Sequence, residues 1–441
     1  MSASQMIDGH AKKDLSIALP TETLTEIFIS GVSFVSFVEF DMDNIDHEET
    51  FLNPKAIPLS VSQASNRSLN SISVVSNPRE SAAYTHGRNR GLDRERSRDH
   101  PLDIEHVYHG SQKSGAFLKL MARHCERWRS FRIEAETKSS WVHLLHSIRG
   151  RLPLLSSLVI KSEVSDCFIF EEAPRLTRVA LVLSPGVALP WAQLTHYEGI
   201  PFYETFTKAE NVLFHMPNIE VFQAWGIMPY SFPVKMPEVL RNLTEMYMYA
   251  YPIGKVLNFA VSAPNLRFLS ACIMPQHPVQ EVMALTAFIK QSSCALDQLK
   301  FTVSYKDDDD DFDASVNIVE LLRQCSSVEA FDLKIVDYSS RLCGIINALA
   351  RNDKLNGIIL PKLRQLKFSH RVCPRVPSQD VALALTNTLH ARQQLSVVEK
   401  LPIIEDVRIT MDIAPPAGTC ADLWKGISDK RSSMVWKVES I

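Results

Sequence analysis

Four phrases of the chain share one spelling: LPLLSSL at 152–158, APRLTRV at 173–179, APNLRFL at 263–269 and LPKLRQL at 360–366. Each reads apolar, Pro, x, Leu, x, x, apolar. The proline ends the preceding segment, because it fixes its own φ and lacks an N–H. The apolar residues after it feed one short strand. Each phrase carries one further inward residue, so its core reads apolar-x-x-apolar-x-apolar: Leu155, Leu158, Ile160; Leu176, Val179, Leu181; Leu266, Leu269, Ala271; Leu363, Leu366, Phe368.

The same core recurs without the proline phrase. It is found at Trp128, Phe131, Ile133; at Ile219, Phe222, Ala224; at Leu243, Met246, Met248; at Leu296, Leu299, Phe301; at Val328, Phe331, Leu333; and at Ile404, Val407, Ile409. A weak copy, Leu194 and Tyr197, ends in Gly199. From one copy to the next the first position advances by 27, 21, 18, 25, 24, 23, 30, 32, 35 and 41 residues. Most of these steps lie at or near the roughly 20–29 residues of a leucine-rich repeat, and the last four are longer. Helices are expected between the late copies. Val279–Lys290 has Val282, Leu285, Phe288 and Ile289 on one face; Ala314–Cys325 has Ile318, Leu321 and Leu322; Leu342–Ala350 and Val381–His390 repeat the scheme. Ala116–Arg127 is expected to be helical as well, with Phe117, Leu120, Met121 and His124 on one side.

One strand and one helix cannot close a core alone, so neighbours must stack. The expected fold is therefore α/β: an irregular leucine-rich-repeat solenoid over 115–441, with parallel strands on the concave side and helices on the convex side. The alternative is an ordinary α/β domain of alternating strands and helices. The recurrence of one phrase in register favours the solenoid. Residues between the apolar positions, such as Ser157, Thr177, Glu220, Arg267, Gln298 and Arg364, are expected on the concave surface. They are mixed in sign.

The chain has 441 residues, 45% of them hydrophobic and 22% charged, with a formal net charge of −3. Nothing in that balance points to nucleic acid or to an anionic membrane. No signal peptide is legible near the start, and the longest uncharged apolar run, Ile27–Val38, is shorter than the about 20 residues a spanning helix needs. The expected location is intracellular, in cytoplasm or nucleus. Eight scattered cysteines form no C-x-x-C pair and read as small buried hydrophobes. Residues 1–18 are polar, and 41–114 shows no useful periodicity; it includes the arginine-rich run Arg88–Arg98 and reads as an insert or linker of low order.

Catalytic signatures are absent from the sequence. There is no G-x-G-x-x-G, no G-x-x-x-x-G-K-[ST], no G-x-S-x-G and no H-E-x-x-H. The acidic run Asp307–Asp311 with Asp313 lacks the spaced ligands, turn glycine and final glutamate of a calcium loop. His124, His143, His146 and His196 read as core or surface residues, and Trp128, Trp141 and Trp191 as core or cap residues. No catalytic, cofactor-binding or metal-binding residue is assigned, and the expectation is a protein that is not an enzyme.

One further stretch stands apart from the repeats. In Leu19–Phe28, LPTETLTEIF, Pro20 suits a first helical position, Glu22 meets the positive end of the helix dipole, and Leu24, Ile27 and Phe28 share one face. Gly31–Phe40 then alternates like a strand. LPTETLTEIF resembles the start of an F-box, L-P-x-E-[IVL]-L-x-x-I-F, through Leu19, Pro20, Glu22, Leu24, Ile27 and Phe28. Together with RHCERWRSFRI (123–133), IRGRLPLLSSLVI (148–160), APRLTRVAL (173–181) and LPWAQLTHYEG (189–199), it is similar to the F-box/LRR-like family of fungi. The box is truncated or diverged over 19–40, since the two helices that usually complete it are not legible. The resemblance implies a substrate-recognition adaptor of an SCF-type cullin–RING ubiquitin ligase. Leu19, Pro20, Leu24, Ile27 and Phe28 would contact the Skp-type adaptor, and the repeats would hold a protein substrate. The runner-up is a stand-alone repeat scaffold with a vestigial box.

Overall fold

The computed structural model describes residues 100–108, 112–135, 141–164, 166–182, 186–199, 202–205, 208–227, 239–251, 253–257, 262–273, 278–304, 314–336, 341–350, 352–353, 357–371, 378–411 and 433–438. The expected helix at 19–28, the strand at 31–40 and the acidic run at 307–313 lie outside the described residues. The chain divides into two compact units, Met1–Val107 and Tyr108–Ile441. The first unit is described only in strand β1 (Leu102–Tyr108) and the residues just before it, and alternate residues of that strand are buried. Both β1 and the start of helix α1 (Gln112–Ala122) fall inside the segment expected to have low order. The strand was hidden because His106 occupies an inward place in an otherwise apolar alternation.

In the second unit the strands are β2 (Trp128–Ala135), β3 (Ser157–Lys161), β4 (Arg178–Val182), β5 (His196–Gly199), β6 (Phe202–Thr205), β7 (Lys208–Asn211), β8 (Val221–Ile227), β9 (Glu245–Tyr251) and β10 (Phe268–Ile273). They continue as β11 (Gln298–Ser304), β12 (Ala330–Val336), β13 (Asn352–Asp353), β14 (Gly357–Ile358), β15 (Gln365–Arg371), β16 (Asp406–Met411) and β17 (Ser433–Val438). Two small antiparallel pairs, β6 with β7 and β13 with β14, stand aside. The other twelve, from β2 to β17, make one sheet in chain order, and every neighbouring pair is parallel.

The repeat register holds residue by residue. One row runs Phe131, Leu158, Val179, Tyr197, Phe222, Met246, Leu269, Leu299, Phe331, Leu366 and Val407, each paired with the next. All eleven are buried. Burying such a side chain is worth about 1.5–3 kcal/mol, so the row is a main source of cohesion. The sequence reading stopped one strand short, because β17 continues this row with Met434 but follows no apolar first position.

The recurring phrase turns out to be a tight turn. The N–H of Leu155 bonds to the carbonyl of Leu152, Leu176 to Ala173, Ile219 to Met216, Leu266 to Ala263 and Leu363 to Leu360. Pro153, Pro174, Pro217, Pro264 and Pro361 sit second in these turns, where their fixed φ is wanted. Just before the first apolar position, side-chain amides tie one turn to the last. Asn218 Nδ2 donates to Ala192 O at 2.8 Å, Asn265 Nδ2 to Arg241 O at 2.7 Å, and Gln193 Nε2 to Ala173 O at 2.7 Å.

The cover on the other side of the core changes along the chain. In the early repeats the described residues there form 3₁₀ turns, at Val142–Ile148, Trp191–Gln193 and Val212–His215. From the middle on, helices appear: α2 (Ile253–Leu257), α3 (Pro278–Ser292), α4 (Ala314–Gln324), α5 (Arg341–Ala350) and α6 (Ser378–Val398). They pack in chain order, α2 on α3 through to α5 on α6. The predicted inward faces of α3 and α4 are buried as expected. Helix α1 differs, since Leu118, Met121 and Ala122 are its buried face while Phe117, Leu120 and His124 are only partly covered.

Two charged side chains lie inside the helical side. Arg392 is 5% exposed and donates to the carbonyls of Ile359 and Leu360, and burial pushes its pKa down to about 10. Glu281 is 2% exposed and accepts the N–H of Gly254 at 3.2 Å.

The weak copy has a packing explanation. The buried ring of Tyr197 lies between Trp191 and Phe222, 5.8 and 5.9 Å away by centroid. A Cβ at Gly199 would stand 2.7 Å from the Leu181 carbonyl oxygen and 2.9 Å from Tyr197 Oη. The Leu181 carbonyl and the tyrosine hydroxyl together leave no room for a side chain at 199. Gly199→Ala is expected to cost about 1–3 kcal/mol by overpacking, read as a lower urea midpoint at unchanged slope. An alanine variant as stable as the parent would refute this account.

Candidate partner-binding face

Inward rows leave the intervening strand residues on the opposite face of the sheet. Its central row runs Arg132, Val159, Ala180, Glu198, Gln223, Tyr247, Ser270, Lys300, Asp332, Lys367 and Arg408, in register. Most of these residues are partly exposed. Of the residues expected on this surface, Ser157 and Gln298 are within strands. Thr177, Glu220, Arg267 and Arg364 sit one place earlier, at the edge, where each carbonyl accepts two N–H groups from the next repeat. The two guanidinium groups of that edge are paired: Arg267 with Asp297 at 3.4 Å, and Arg364 with Glu405 at 3.1 Å. Exposed pairs of this kind are worth about 0–1 kcal/mol each.

The middle of the face is aromatic. Trp225 on β8 stacks on Tyr249 of β9 at 4.8 Å, and Tyr247 of β9 lies against Phe268 of β10 at 4.8 Å. The hydroxyls are engaged as well, Tyr249 Oη with Ser270 Oγ at 3.1 Å and Tyr247 Oη donating to Glu245 Oε2 at 3.0 Å. The sequence reading missed this group. Its signal was present in EMYMYAY (245–251), where methionines take the inward places and tyrosines the outward ones.

Charge flanks the aromatic group. On the side of the early strands Lys161 lies 3.9 Å from Glu134. Burial pushes the Glu198 carboxyl upward, against the pull of Lys161 and Arg132. His196 accepts from or donates to Thr195 Oγ1 at 2.8 Å, and burial lowers its pKa. On the side of the late strands the face carries Lys300, Lys334, Lys367 and Arg408 against Asp332 and Asp406. Lys367 pairs with Asp332 at 3.3 Å and Arg408 with Asp406 at 3.1 Å. Within the same face, Cys272, Thr302 and Lys334 are buried to 3, 9 and 8% exposure.

Four thiols fit the expected core role: Cys125, Cys167, Cys272 and Cys325 are buried, whereas Cys294 and Cys343 are only partly covered. Burial pushes Cys167 and Cys272 up to about 11 and Cys325 up to about 12, away from the thiolate that nucleophilic chemistry needs. Cys373 and Cys420 lie outside the described residues. Trp128 and Trp141 are core residues, Trp141 donating to Ser162 Oγ at 3.2 Å, while Trp191 is partly exposed. Among the described residues no three His, Cys, Asp or Glu side chains gather as a metal set, and no helix is long and apolar enough to cross a membrane. Leu19, Pro20, Leu24, Ile27 and Phe28 lie outside the described residues. No protein-family model matches the sequence, and no curated protein matches it.

Proposed function

We propose that the protein is a non-catalytic recognition adaptor of an SCF-type cullin–RING ubiquitin ligase, with a leucine-rich-repeat solenoid holding a protein substrate. The observation that carries the recognition half is the aromatic group of Trp225, Tyr247, Tyr249 and Phe268 at the centre of the sheet face. Aromatic residues are favoured anchors at protein interfaces. Strands sit about 4.8 Å apart and packed helices about 8–10 Å apart, so a helical layer outruns its sheet. That difference supports a curved array with the aromatic face inside. The ligase half rests on LPTETLTEIF (19–28), whose Leu19, Pro20, Leu24, Ile27 and Phe28 would dock on the Skp-type adaptor. Such a receptor acts by raising the local concentration of substrate beside the ligase.

Co-purification of the 441-residue chain with a Skp-type adaptor tests this half. Capture is expected, with a loss of tenfold or more in Leu24→Glu/Ile27→Glu. Absence of capture would remove the ligase reading. A second reading, a stand-alone interaction scaffold with a vestigial box, is favoured by the repeat array forming a compact unit of its own, Tyr108–Ile441. It predicts that deleting 19–40 leaves substrate capture unchanged.

A further inference from the structure

We infer that the occupant of the sheet face is an acidic protein segment that carries an aromatic or large aliphatic anchor; this rests on the recognition half of the reading above. The anchor would sit against Trp225, Tyr249 and Phe268, which are partly exposed and already paired ring to ring. Acidic residues would lie over the late strands, where the exposed or partly exposed Lys300, Lys367 and Arg408 outnumber Asp332 and Asp406 and Lys334 lies beneath them at 8% exposure. This excess of positive charge occurs in a chain whose formal net charge is −3, so it is local and not a reflection of composition.

The geometry suits one continuous segment. Neighbouring strands are about 4.8 Å apart, which puts β11 about 10 Å from β9 and β15 about 19 Å from it. An extended chain advances about 3.4 Å per residue. An anchor over β9 therefore places residues about three to six positions away over Lys300 and Lys367. A nucleic acid fits less well. Glu198, Glu245, Asp332 and Asp406 punctuate the same face, and a continuous phosphate chain could not avoid them. The rings stack on each other, and their hydroxyls are engaged within the sheet. An acidic peptide carries charge only where its sequence puts it.

The test is a selection from a random 12-residue phage-displayed peptide library on the immobilised full chain, with a 20-nucleotide poly(U) RNA run in parallel. Enrichment of Asp and Glu beside Trp, Phe or Leu is expected. Affinity for the selected peptides should fall on the order of tenfold or more in Lys300→Glu/Lys367→Glu, and weaken as salt rises. Circular dichroism of that variant, together with Lys300→Gln/Lys367→Gln as a milder pair, separates lost charge from lost fold. Neutral or basic selected peptides that need Trp225 would overturn the inference and leave the recognition face standing. Selected peptides indifferent to both Trp225→Ala and the charge reversal would remove the face itself. Failure to select any peptide, or charge-dependent binding of the RNA alone, would likewise overturn the acidic-segment assignment.

Discussion

Phe331→Ala is expected to remove about 3–5 kcal/mol of stability, whereas Phe268→Ala removes about 1 kcal/mol. The two residues are the same ring on the same sheet. Phe331 is 1% exposed in the inward row, held between Leu299 and Leu366. Its removal opens a cavity that close-packed neighbours cannot fill. Phe268 lies on the opposite face, where its partner is the ring of Tyr247 and truncation leaves no sealed void. Urea unfolding followed by circular dichroism reads the difference. Because side chains alternate, a slip of one residue would exchange the two faces. Equal losses in the two variants would therefore sink the register itself. The damage from Phe331→Ala should also stay local, since each repeat touches only its neighbours. Hydrogen exchange should accelerate first in β11, β12 and β15.

That register was the most legible part of the chain. An apolar residue two places after another, repeated at each copy, can satisfy only one face of a strand, so the eleven copies align without structural help. The turns were legible in outline, since the prolines mark them, but their role as second residue of each turn depended on which carbonyl received which N–H. Much of the remainder depends on contacts between distant segments. Arg392 reads as an ordinary surface residue of a helix, and only the arrival of the Ile359 and Leu360 carbonyls makes it a buried one. The outward aromatics follow no repeat-wide pattern, and only the pairing of β8, β9 and β10 brings them together. The strand β17 escaped because Met434 and Trp436 lack the leading apolar residue that marks every other copy. For the adaptor half, the sequence remains the whole of the argument, resting on Leu19, Pro20, Leu24, Ile27 and Phe28.

Glu281 sets the second large effect, on the dependence of stability on pH. Its carboxyl stands in the first turn of α3, accepting N–H groups from Gly254 and Ile253 at the start of α2. Burial pushes its pKa up from an ordinary 4.5 to about 7, and those backbone donors offset only part of the rise. In the unfolded chain the same group ionises near the ordinary value. Between about 4.5 and 7 the folded protein thus holds a proton that the unfolded chain has released. Stability from this group is complete below the lower value and falls as pH rises through the window, by about 3 kcal/mol in all. Above the upper value both states are ionised and the loss stops. Glu281→Gln keeps an oxygen acceptor for the two N–H groups and carries no charge. The variant is expected to match the parent near pH 4.5 and to exceed it by about 3 kcal/mol at pH 8. Urea midpoints measured at half-unit steps from pH 5 to 8 would show the two curves diverging. Parallel curves would mean that the carboxylate is solvated in the folded protein, and that the junction of α2 and α3 is open to water.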